Sequence, residues 1–67
     1  MSIEETLANC MQHMSKADLK ILRSDQGEHY ALEWLQWAKR TGLRSLEFYT
    51  PTQTQHLAHL MIAEIVS

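Results

Sequence analysis

Residues 26–41, QGEHYALEWLQWAKRT, decide how this chain folds. Projected at about 100° per residue, Tyr30, Ala31, Trp34, Leu35, Trp37 and Ala38 fill an arc of about 160°, and Leu32 widens it to about 220°. His29, Glu33, Gln36 and Arg40 mark the opposite, wet side. This period predicts a helix from about Gln26 to Thr41. Lys39 and Arg40 suit its last turn, where the exposed carbonyls attract cations, and Gly42 suits the left-handed position that closes it. The apolar arc is wider than a small bundle can cover, so part of it is expected to face a partner.

Upstream, Ser24-Asp25-Gln26-Gly27 reads as a turn, with Asp25 and Glu28 as a cap for the long helix. Before it, Ser15 offers a helix start. Met14 and Leu19 stand where a hydrophobic staple would place them, and Leu19, Ile21 and Leu22 supply a short apolar face. A break or sharp bend near Ser15 separates this helix from the first. There, Ser2 is the N-cap, Glu5 stands at N3, and Ile3, Leu7, Cys10, Met11 and Met14 form a narrow stripe.

Downstream, Leu43 to Tyr49 is ambiguous. Leu46 and Phe48 alternate around Glu47 as in a strand, while Leu43 and Leu46 are one helical turn apart. A strand here would have no partner within the chain and would be an exposed edge, so a short irregular or helical connector is expected, with strand pairing between molecules as the alternative. Thr50, Pro51 and Gln53 then announce a last helix through an N-cap, an N1 proline and a capping box. From Leu57 to Val66 that helix is apolar almost all round, the pattern of a buried helix, with Glu64 inside the arc. Glu64 is read as snorkelling near a frayed end, or as pairing across an interface.

The fold expected is all-α: one domain over residues 1–67, a compact bundle of three to four helices. A chain of 67 residues buries only about 60% of its unfolded surface. Cys10 is the single cysteine, so no disulfide supplements the core, and self-association into a homodimer or higher oligomer is expected to do so. The stretch Met1 to Glu5 lacks the zones of a secretion signal, and no apolar run reaches the ~20 residues that span a bilayer. A cytoplasmic setting without membrane contact is the expectation.

Net charge is −2, from six Lys and Arg against eight Asp and Glu, and there is no basic block. This disfavours nucleic acid, which is held largely through phosphate contacts. One fragment points the other way. Ala38 to Leu43 has the small residue, turn glycine and following apolar residue of a helix-turn-helix. Leu43 to Thr50 would then be the recognition helix, carrying Arg44 and Ser45 but also Glu47. A small DNA-binding regulator is therefore the second reading.

Cys10 with His13, and His56 with His59, are i, i+3 pairs that could supply four tetrahedral ligands, which makes a structural zinc site the third reading. Because Cys10 belongs to an apolar stripe, no metal and no cofactor are expected. Only Gly27 and Gly42 are present, so there is no glycine-rich phosphate loop, and Cys10 with His13 lacks an orienting third group. No catalytic residue is expected. The leading reading is a non-enzymatic adaptor, inhibitor or regulator that occupies a protein surface. Tyr30, Trp34, Trp37, Arg40, Arg44, Phe48 and Tyr49 are its candidate contact residues. Trp34 is expected to serve mainly the core, and Trp37 or Tyr49, flanked by Arg40 and Arg44, to reach the partner.

Overall fold

Capping chemistry sets where the elements begin. The structure, a computed structural model, describes residues 2–67; Met1 lies outside them. Helix α1 spans Ile3–Gln12, α2 Lys16–Leu22, α3 Gly27–Arg40 and α4 Pro51–Val66, with a 3₁₀ turn at Arg44–Leu46 between the last two. Ser2 accepts a hydrogen bond from the Glu5 amide at 3.2 Å. Ser15 with Asp18 and Thr50 with Gln53 form reciprocal capping boxes, each satisfying two amides that the first helical turn leaves free.

The start of α3 differs from the sequence expectation. Asp25 lies outside the helix, the N-cap is Gln26, and no side chain caps it. Ser24 holds the turn instead, accepting from the Gln26 amide at 3.2 Å and donating to the Ile21 carbonyl at 2.6 Å. The chain reverses so tightly that a Cβ on Gly27 would lie 2.0 Å from the Leu22 carbonyl oxygen. Gly27 is thus required by close backbone approach. Gly42 is required by conformation, with φ at 94°. The amide of Leu43 reaches the Ala38 carbonyl at 3.0 Å and that of Gly42 reaches Lys39 at 3.2 Å, the paired bonds of a Schellman cap.

Helix α3 packs most extensively on α4. Ala31, Leu35 and Ala38 on α3, and Leu57, Ala58 and Met61 on α4, are buried at the centre of the molecule. The alanines let the two backbones approach, while the leucines and Met61 fill the space between them. Cys10, Met14, Leu22 and Leu46 complete the core from the remaining segments. Two threonines that local patterning did not mark as apolar are also buried. Thr6 Oγ1 donates to the Ser2 carbonyl at 3.2 Å and Thr54 Oγ1 to the Thr50 carbonyl at 2.9 Å. Returning these hydroxyls to their own helix offsets the cost of burying them. Among the described residues, no buried side-chain nitrogen or oxygen lacks a hydrogen-bond partner.

Helix α4 departs from the all-round burial its composition predicts. Leu57, Ala58 and Met61 are buried, and Leu60, Ile62 and Ile65 only partly so. Ala63, Glu64 and Val66 are exposed, because the other helices cover one side of α4 and leave its last turn in the open. The radius of gyration, 10.8 Å, is close to the ~11 Å expected for a compact chain of this length. No helix among the described residues is long and apolar enough to cross a membrane.

Candidate functional site

Tyr30, Glu33, Trp34 and Trp37 occur at i, i+3, i+4 and i+7 on α3, so they share one face. That face meets the corner where α1 ends and α2 begins, the segment from His13 to Asp18. Trp34 is 8% exposed and belongs to the core, which removes it as a free anchor; it reaches the surface only as a floor. Trp37 is 52% exposed. The two indoles have centroids 6.1 Å apart and planes inclined at 56°, so they form two walls of a corner.

A cleft opens on each side of this pair. One, of about 360 Å³, is lined by His13, Asp18, Tyr30, Glu33, Trp34 and Trp37. The other, of about 300 Å³, runs from the same indoles and His13 toward Ala38, Gly42 and Leu43. Hydrogen bonds position the polar members. The Tyr30 hydroxyl donates to Asp18 Oδ1 at 2.6 Å, while Asp18 Oδ2 accepts from the Ser15 amide at 2.9 Å. The Tyr30 bond and then the Ser15 bond hold the Asp18 carboxyl below its usual range. The same hydroxyl bond, followed by burial, raises the phenol of Tyr30. His13 Nδ1 lies 2.8 Å from the Asn9 carbonyl, which can only accept, so Nδ1 carries the proton and a neutral ring leaves Nε2 as an acceptor.

The remaining sequence candidates form a second region. Arg44, Phe48 and Tyr49 line a cleft of about 600 Å³ together with Thr6, Ser45 and Glu47. Phe48 is 86% exposed, whereas Tyr49 is partly buried and packs against the core. The sequence expectation favoured Trp37 or Tyr49 as the aromatic that reaches outward; the exposed pair is Trp37 and Phe48. Tyr49 packs inward against the core, and its backbone carbonyl receives a bond from Lys39 Nζ, which ties the connector to the end of α3. Asn9 Nδ2 donates to Ser45 Oγ and ties the same connector to α1. A groove lined by Lys39, Gly42, Leu43, Arg44 and Glu47 joins the two regions. Arg40 is exposed and lines neither of them.

Other constellations are not assembled. The connector holds a single 3₁₀ turn, Arg44–Leu46, where a helix-turn-helix would need a recognition helix, and Gly42 serves as a helix terminator. Among the described residues, no group of three or more His, Cys, Asp or Glu is placed to hold a metal ion. Cys10 is fully buried, and that burial raises its thiol to about 11, so it carries no thiolate near neutrality. His59 is exposed and pairs with Glu28 of α3 at 2.8 Å, whereas Cys10 is enclosed in the core. Sequence reasoning missed His13, Asp18 and Glu33 as members of the aromatic cleft. Asp18 was legible only as a cap, because its contact with Tyr30 crosses from one helix to another. No protein-family model, characterised protein or solved structure matches the chain.

Proposed function

We propose that this protein is a non-enzymatic interaction module, an adaptor, inhibitor or regulator, that works by seating Trp37 and its flanking clefts on a partner polypeptide. One observation carries this reading. A half-exposed indole stands on a buried one, with an open cleft on either side. Large rigid aromatics that lose little conformational freedom on contact are the residues that dominate interface energetics. Phe48, on the connector that follows α3, adds a second exposed apolar anchor.

The test is capture of partners from host lysate with the parent chain, Trp37→Ala and, as a control at an exposed position of α4 outside both clefts, Gln55→Ala. Capture that survives Gln55→Ala and disappears with Trp37→Ala, at unchanged far-ultraviolet circular dichroism, supports the reading. Capture that survives Trp37→Ala puts the contact surface elsewhere. A second copy of the chain is one such partner, and light scattering over a dilution series identifies it by a mass that rises with concentration. A constant particle of 7.8 kDa assigns the surface to a foreign chain.

A further inference from the structure

We propose that the cleft between α3 and the α1–α2 corner receives an arginine side chain of the partner polypeptide, its guanidinium against the indoles and within reach of the carboxylates. This rests on the interaction reading above and adds the chemistry of what is bound.

Three observations lead to it. First, the cleft is walled by Tyr30, Trp34 and Trp37, and the faces of such rings are negative and attract cations. Second, its other members include Asp18 and Glu33, and none of its lining residues is Lys or Arg. The cleft therefore presents two carboxylates and three aromatic rings, and the basic groups near them are two histidines, His13 in its lining and His29 against Glu33. Third, two of the three aromatic walls, Tyr30 and Trp34, are held in place before any ligand arrives. Tyr30 is tethered to Asp18 at 2.6 Å, Asp18 is tethered to the start of α2, and Trp34 is seated in the core. Such preorganisation lowers the ordering cost of binding.

The shape selects among cations. The cleft is open and continues past Trp37 into its neighbour, which suits a side chain presented by an extended segment better than a small enclosed ligand. A guanidinium is planar, stacks on aromatic faces and offers a fork of donors to a carboxylate, and Glu33 at the rim is exposed enough to meet it. His29 shares Glu33 at 2.9 Å from the outer side.

The experiment follows the two indole N–H signals in a nitrogen-labelled sample. The probe is a short capped peptide with one arginine among glycines and serines, compared with the same peptide carrying citrulline, its uncharged isostere. Saturable shifts at Trp34 and Trp37 are expected with arginine and about tenfold weaker binding with citrulline, in line with a partly solvated cation over aromatic rings and beside a carboxylate. Glu33→Gln, an exposed change that leaves the fold intact, is expected to weaken the arginine peptide several-fold. Equal binding of the two peptides, absence of shifts with either, or indifference to Glu33→Gln would overturn the proposal. Choline matching the arginine peptide would overturn it too, by assigning the cleft to small quaternary ammonium ions. The two readings fail separately. Partner capture that needs Trp37 but ignores Glu33→Gln leaves the interaction module standing and removes its cation site.

Discussion

Helix α3 presents two apolar faces that are finished in opposite ways. Toward α4 it offers Ala31, Leu35 and Ala38, each 2% exposed or less. Toward the α1–α2 corner it offers Tyr30, Trp34 and Trp37, and there the packing stays open as clefts. Small and branched side chains interdigitate and close a seam, while large flat rings meet at an angle and leave wedges between them. Both faces carry apolar surface. Shape decides which one closes into a seam and which one keeps open clefts around a partly buried ring pair.

The comparison breaks first at Leu35. Leu35→Ala should cost about 2–5 kcal/mol, the usual range for a fully buried leucine, and in a domain this small that is expected to leave little folded protein. Urea titration measures it, and a loss below 1 kcal/mol, on that same scale for buried leucines, would mean that the α3–α4 seam is not the stabilising one. Gly27→Ala comes next. The added methyl has to displace the Leu22 backbone or open the turn, and about 2 kcal/mol is expected in the same assay. A neutral result would show that the α2–α3 reversal relaxes freely.

On the open face, Trp37→Ala should reduce stability by only about 1 kcal/mol, because half of the ring is already in water, while abolishing partner capture. A larger loss would move Trp37 to the closed side of the comparison. The smallest effect is on the Tyr30–Asp18 tether. Because the phenol is raised, this bond stabilises the fold below the ordinary tyrosine range and is lost as the pH climbs through the raised value. Because the carboxylate is lowered, the stabilisation is also lost when the pH falls through the depressed Asp18 value. In a Tyr49→Phe background, phenolate absorbance should titrate above the usual ~10, and Asp18→Asn should return it toward that value. An unchanged titration would mean that the tether does not hold the cleft wall in solution.

Much of this was readable from local chemistry. Ser2, Ser15, Thr50 and Gly42 terminate helices through groups within a few residues of themselves, so their roles follow from order along the chain. The same holds for the apolar period of α3 and for its Tyr30, Trp34 and Trp37 face. Local order overreached where the outcome depends on what lies opposite. At the turn before α3, Gly27 lies close against the Leu22 backbone and Asp25 stands outside the helix without capping it. Helix α4 looked buried all round, yet the bundle covers only one side of it.

What the sequence by itself determined, then, is an all-α chain with its helix boundaries and its aromatic face, because those depend on contacts between near neighbours. What only the tertiary structure decided is which aromatic stands in water, that Tyr49 turns in while Phe48 stays out, and that Asp18 and His13 join Trp37 at one cleft. Those are contacts between separate helices. Their partners are chosen by the fit of side-chain volumes across the bundle, and no spacing along a single helix encodes that fit.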